Sequence, residues 1–180
     1  MKTLQELGNR YENQSPSERR KQVGEMVNDA SVAETHVLLQ MKNMGWAAHK
    51  NPDAKGTDIL LERSGSMLPT EIKFRSGLKP DCGGSPNFFF EMDTNVGTSY
   101  ERESRTWQDR APMYITVFSD GTMWCCKYRL MRQMIDDGLL KPYIHISPYH
   151  QTRGALVSYR ELQDLNLLTI VSSTCPPAAA

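Results

Sequence analysis

Asp58, Glu71 and Lys73 are the residues whose types and spacing suit a chemistry. The stretch from Thr57 to Arg75 holds two apolar runs, and Ser64-Gly65 is the turn signal between them, which predicts an antiparallel hairpin. Asp58 lies six residues before Ser64 and Glu71 six after Gly65, so the two fall opposite one another. Paired side chains leave the same sheet face with Cβ atoms roughly 4.5–5.5 Å apart. Lys73 shares that face because side chains alternate along a strand, and Arg75 continues the row. Ile59, Leu61, Ile72 and Phe74 point the other way, so one register yields an apolar face and a charged face together. Opposed carboxylates destabilise a sheet unless something neutralises them. A divalent cation does so: Mg²⁺, with Mn²⁺ as a substitute, takes one or two carboxylates plus waters and phosphate oxygens, and it activates water for hydrolysis. Lys73 is placed to orient that water or to stabilise the charge that grows on the phosphate.

The elements that must position these groups follow from periodicity and turn chemistry. Leu4, Leu7 and Tyr11 recur at helical spacing, and Ser15-Pro16-Ser17-Glu18 opens a second helix. A third is predicted from Ser31 to Met44, with Val32, Ala33, Val37, Leu39, Met41 and Met44 as its apolar face and Gly45 as its stop. From Trp46 the pattern changes to strands: Trp46 to His49, Thr57 to Leu61, Leu68 to Phe74, Asn87 to Met92, Met113 to Phe118 and Thr122 to Tyr128. Ser119-Asp120-Gly121 joins the last two as a hairpin turn. Arg129 to Asp137 reads as a helix ended by Gly138, Pro142 to Ile146 as a strand, and Ser158-Tyr159-Arg160-Glu161 as a capping box opening a short helix. The polar run from Asp93 to Arg110 reads as a long loop. The expected organisation is a single domain over 1–174, with N-terminal helices (1–45), a catalytic sheet (46–128), a C-terminal elaboration (129–174) and a flexible tail (175–180). The fold class is α/β, a mixed and mostly antiparallel central sheet flanked by helices.

An aspartate followed after a gap by Glu71-Ile72-Lys73 resembles the PD-(D/E)XK nuclease superfamily, whose Asp and E-x-K tripeptide sit on adjacent strands. Thr57 stands where the motif name has proline, a variable position in that superfamily, and the resemblance covers about Ser31 to Phe74. It implies a restriction-endonuclease-like fold and a metal-dependent endonuclease cutting DNA, of a restriction, phage or homing type, or a junction resolvase. It further implies Asp58, Glu71 and the Ile72 carbonyl as metal ligands, Lys73 as the catalytic lysine and Glu34, on the preceding helix, as a fourth catalytic residue. Ser31-Val32-Ala33-Glu34 equally fits a helix-capping box. A noncatalytic nucleic-acid-binding module on the same hairpin, or an RNA-cutting member, are the alternatives.

Bulk properties set the remaining bounds. With 21 basic and 21 acidic residues the chain has no net charge, so any phosphate-binding surface must be local. Basic clusters occur at Arg19, Arg20 and Lys21, at Lys73, Arg75 and Lys79, and at Lys127, Arg129 and Arg132. Arg102, Arg105, Trp107 and Arg110 mix cations with an aromatic, as suits a grip on a DNA backbone, and a solvated loop gives the same composition. Arg75, Lys79, Arg102, Arg105 and Arg110 are the resulting DNA-contact candidates. Phe88, Phe89 and Phe90, with Phe89 facing opposite to its neighbours, read as core in preference to a base-stacking platform, as do Tyr114, Phe118 and Trp124. His36, His49, His145 and His150 lack ligand spacing. Cys82, Cys125, Cys126 and Cys175 form no metal pattern and read as reduced structural residues. No apolar stretch reaches membrane length, and the N-terminal residues lack a secretory pattern, so a cytoplasmic location is expected. A homodimer placing two sites across a duplex is compatible with the sequence.

Overall fold

A computed structural model describes residues 23–53, 57–75, 79–99, 101–104, 107, 111–147 and 152–171. The two helices expected before residue 22, and Arg105 and Arg110, lie outside the described residues. Helix α1 spans Val23–Asn43 and ends where Gly45 takes φ 83°, a conformation glycine reaches without a Cβ clash. It begins eight residues ahead of the expected start at Ser31, so Ser31 is internal, its carbonyl accepting a hydrogen bond from Thr35 Oγ1 at 2.7 Å. The capping box at Ser31–Glu34 is therefore not formed.

Strand β1 (Ala47–Lys50) pairs antiparallel with β2 (Ile59–Arg63), and β2 with β3 (Ser66–Arg75). Ser64 and Gly65 adopt φ 53° and 77°, the two positive angles of a two-residue hairpin turn whose twist matches that of the strands. This fixes the register with Ile59 opposite Thr70, the expected one, and brings Asp58 level with Glu71. After a 3₁₀ turn at Pro80–Cys82 come β4 (Asn87–Thr94) and β5 (Arg102–Glu103). The hairpin of β6 (Met113–Phe118) and β7 (Met123–Cys126) follows, then helix α2 (Tyr128–Asp136), β8 (Tyr143–Ser147), β9 (Thr152–Ser158), α3 (Tyr159–Asp164) and β10 (Leu168–Ile170). Ser158 stands at the start of α3 as expected, without a side-chain capping bond.

The fold is mixed α/β. A six-stranded sheet runs β1-β2-β3-β6-β7-β10, parallel at β3–β6 and antiparallel elsewhere. A second sheet, β5-β4-β9-β8, is antiparallel throughout. Strands β9 and β10 and the separate second sheet were not expected. Part of the polar run from Asp93 is also ordered, as the end of β4 and as β5.

Two cores flank the six-stranded sheet. On one face Ala33, Val37 and Met41 of α1 cover Ile59, Leu61, Ile72, Ile115, Val117 and Met123, as the apolar side of the hairpin predicts. On the other, Phe88 and Phe90 of β4 and Ala155 and Val157 of β9 pack against Tyr114, Phe118, Trp124 and Cys126. Trp107, read from sequence as part of a DNA-gripping loop, is buried in this second core, edge-on to Tyr128 at 6.2 Å. The reason is its neighbours: the second sheet and α2 bury large aromatic area there. Cys125 and Cys126 are free and buried, whereas Cys82 is disulfide-bonded, against the expectation that all cysteines are reduced.

Candidate functional site

The register that brings Asp58 level with Glu71 places both at the open end of the β2–β3 pairing. Past Ile59 the chain leaves the sheet, and the Asp58 side chain replaces the missing strand partner: its Oδ2 accepts the Ile72 N–H at 2.7 Å. The Asp58 carbonyl accepts the Asn51 N–H at 3.1 Å, tying the segment to the end of β1. Burial and the nearby Glu71 charge push the Asp58 carboxyl up to about 6 from 3.8, more than its bond to Ile72 and the charge of Lys73 pull it down. Glu34 adds to the same push, so the helix glutamate stands within electrostatic reach of Asp58.

Glu71 and Lys73, two apart on β3, share a face and are joined directly, Lys73 Nζ to Glu71 Oε1 at 2.8 Å. Their exposures differ: 13% of the Glu71 side chain is accessible and 50% of that of Lys73, so the anion is tucked in and the cation reaches solvent. Burial works against the charge on Lys73, and the Glu71 carboxylate outweighs it, holding the ammonium above the usual lysine range. The charged face of the hairpin is thus only partly open to solvent. Along β6 and β7 the same face is the core against the second sheet, so the charged groups occupy its border.

Glu34 pairs with Lys50 at 3.0 Å, a partner that sequence reading missed because it sits in a polar run resembling ordinary turn chemistry. Of the DNA-contact candidates, Arg102 is exposed on β5. Arg75 is half-buried, donates to the Asn87 carbonyl at 3.2 Å and lies 5.4 Å over the Phe88 ring, tying β3 to β4. Lys79 contradicts its assignment: it is 2% exposed and bonds Asp120 at 2.8 Å and Thr122 Oγ1 at 3.1 Å, so it braces the β6–β7 turn instead of facing DNA. His36, without assigned role, donates from Nε2 to the Gly121 carbonyl of that turn at 2.9 Å.

Among the described residues no group of three or more His, Cys, Asp and Glu side chains is gathered to hold a metal ion. The donors at hand are the Asp58 and Glu71 carboxylates and main-chain oxygens beside them. That set fits Mg²⁺, which keeps several waters and needs one or two protein carboxylates, and does not fit an ion that demands a full protein cage.

Comparison with known protein families finds no matching family model, and comparison with curated proteins finds no match either. Among solved structures the chain is similar to a bacterial homing endonuclease, at 12% identity over 58% of this chain and 70% of that one, with a TM-score of 0.43. At that depth the likeness carries no argument of its own, and a functional reading must stand on the site. Among the described residues no helix is long and apolar enough to cross a membrane.

Proposed function

We propose that the chain is a Mg²⁺-dependent endonuclease that hydrolyses phosphodiester bonds in DNA, built on the PD-(D/E)XK plan. The observation that carries the reading is the convergence of Asp58 and Glu71 beside Lys73, with Asp58 driven up to about 6 by burial and by its neighbour's charge. Two half-buried carboxylates held against one another cost stability unless a cation joins them. Asp58, Glu71 and the Ile72 carbonyl are the groups that would hold Mg²⁺, which supplies a water of lowered pKa and stabilises charge on the phosphate oxygens.

The protein's own groups then have separable tasks. The bond from Ile72 N–H orients the Asp58 carboxylate without a side-chain partner that a cation would have to displace. Lys73 stays protonated beside Glu71, which suits it to stabilise an anionic phosphate or to orient water and not to take up a proton. Glu34, held by Lys50, adds negative charge at the margin. Arg102 is the candidate backbone contact among the described cations that remains exposed.

The test is incubation of the purified protein with supercoiled plasmid, branched DNA and matched RNA over a range of Mg²⁺ and Mn²⁺, beside Asp58→Ala and Lys73→Ala. Metal-dependent cleavage of DNA by the wild type alone is the expected result. Retention of DNA in a gel shift without cleavage at any metal concentration selects the binding-module alternative, and preferential cutting of RNA selects the other. Equal cutting by wild type and variants rejects the site.

A further inference from the structure

The two sheets end in four edge strands, β1, β10, β5 and β8, and these are protected unequally. Strand β5 offers two residues, Arg102 and Glu103, both charged; β10 offers three, with Leu168 buried; β1 ends in Lys50, which is tied to Glu34 at 3.0 Å. Short length and charge are what keep an edge from pairing with another chain. Strand β8 (Tyr143–Ser147) has neither safeguard. It is the longest of the four, it carries no lysine, arginine, aspartate or glutamate, and β9 pairs with it on one side only. Among the described residues no backbone hydrogen bond from outside the sheet reaches it. Its apolar side chains are open, Tyr143 at 70%, Ile144 at 46% and Ile146 at 54%, with Leu139 at 70% ahead of the strand. Ile144 is level with Ala155, a fully buried member of the second core, so the face that this core fills runs out to the edge and stops there uncovered. On the opposite face His145 is level with Gly154 and meets the Phe89 ring edge-on at 6.3 Å.

We propose that β8 is the self-association edge of this protein: it pairs antiparallel with β8 of a second copy about a two-fold axis at His145, and the second sheet continues from one copy into the other. The strand's own sequence selects this occupant. Paired residues share a sheet face, so a two-fold axis normal to the sheet must pass through a residue. At His145 it uses the whole strand and sets Ile144 of each copy against Ile146 of the other, on the side of the second core. Apolar residues placed evenly about one centre match a copy of the same strand, which an unrelated strand has no reason to do. Charge agrees with this. The one ionic residue of the adjoining β9, Arg153, is held by Asp93 at 2.6 Å, so two such edges meet without like charges opposed. Leu139, Tyr143, Ile144 and Ile146 expose roughly 400–500 Å² per copy, taking ~200 Å² for a large side chain. With the joined backbones added, two copies come close to the ~1,000 Å² that a reversible interface needs. Each copy spends its β8 in the contact, so the assembly closes at two. The interface uses none of Asp58, Glu71 and Lys73 and does not rest on the nuclease reading.

Analytical ultracentrifugation of the full chain from about 1 µM to about 1 mM should show a reversible monomer–dimer equilibrium. Ile146→Lys should raise the dissociation constant about tenfold or more, because an ammonium would have to be buried against Ile144 of the other copy. Circular dichroism and the melting temperature should stay those of the wild type, since Ile146 is already open to water. Cysteine substitution then fixes the register. Under mild oxidation His145→Cys should join two copies across the axis, whereas Tyr143→Cys should not, its counterpart lying four residues along the paired strand, roughly 13 Å away; the wild type serves as the blank for the native cysteines. A monomer over the whole range overturns the proposal and leaves the edge to a strand of another protein. A dimer that Ile146→Lys does not weaken overturns β8 as the interface, and cross-linking through residue 143 in place of 145 overturns the axis at His145. A dimer linked through residue 145 in a protein that cuts no nucleic acid upholds the interface and rejects the nuclease reading alone.

Discussion

Lys73 and Lys79 each hold a carboxylate oxygen at 2.8 Å, one at the open end of the β2–β3 hairpin and the other beneath the β6–β7 turn. Lys79 is buried, and its partner Asp120 is further satisfied by the Thr122 N–H at 2.9 Å. Burial works against the Asp120 charge, but the bonds from Lys79 and Thr122 outweigh it and hold the carboxyl below its ordinary range. Charge there is balanced, with the ammonium enclosed and the carboxylate at the surface. At Lys73 one ammonium, half open to water, faces Glu71 with Asp58 close behind, and negative charge is left over. Equal distances thus accompany different settings: one pair braces a turn, while the other leaves carboxylate charge uncompensated, which the proposed function assigns to a cation.

The largest break in this comparison is expected in activity. Lys73→Ala should lower cleavage about 10²–10³-fold, as loss of a group that stabilises transition-state charge does, and should cost about 1 kcal/mol in urea stability, since the ammonium is half open to water although Glu71 beside it is not. Steady-state kinetics beside urea melts check both halves. Asp120→Ala should behave inversely, leaving cleavage chemistry intact and costing about 3 kcal/mol in the same melts, since it takes the carboxylate from the buried Lys79.

A third expectation concerns pH. Asp58 binds its proton more tightly folded, at about 6, than unfolded, at 3.8. Its protonation therefore adds stability that is fully present below about 4 and is lost as pH rises through about 6, up to about 3 kcal/mol in all. Asp58→Asn should escape that loss, so the variant gains on the wild type between pH 4 and 7. Mg²⁺ at pH 7.5 should raise the melting temperature of the wild type and not of the variant. A stability difference that is flat with pH would remove the electrostatic basis for the cation site. The smallest effect is at the turn: Gly65→Ala, at φ 77° with open space around the Cβ, should cost about 1 kcal/mol from backbone strain alone.

Legibility followed the range of the interactions. The β2–β3 register was readable because two residues, Ser64 and Gly65, set it and the alternation of Ile59, Leu61, Ile72 and Phe74 agrees with it. The β6–β7 hairpin was readable for the same reason, through Asp120-Gly121. The parallel β3–β6 pairing joins strands separated by the whole of β4 and β5, and no local signal specifies such a crossover. Strand β9, whose Gly154 gives way to the Phe89 ring, has its residues ordered by pairing with β4 across some sixty positions, so its composition alone did not mark it. Lys79 looked like a surface cation because a lysine's burial depends on a partner elsewhere in the chain, here Asp120.

By itself, then, the sequence determined the short-range geometry of this protein: the hairpin, its turn, the face shared by Glu71 and Lys73, and Asp58 opposite them. Tertiary structure alone decided that this face borders a second sheet, that Glu34 turns to Lys50 and that Lys79 is enclosed. The physical reason is that strand alternation and turn dihedrals are set by neighbours in the chain. Burial, and with it the strength of every charge at the site, is set by whatever the rest of the fold lays over it.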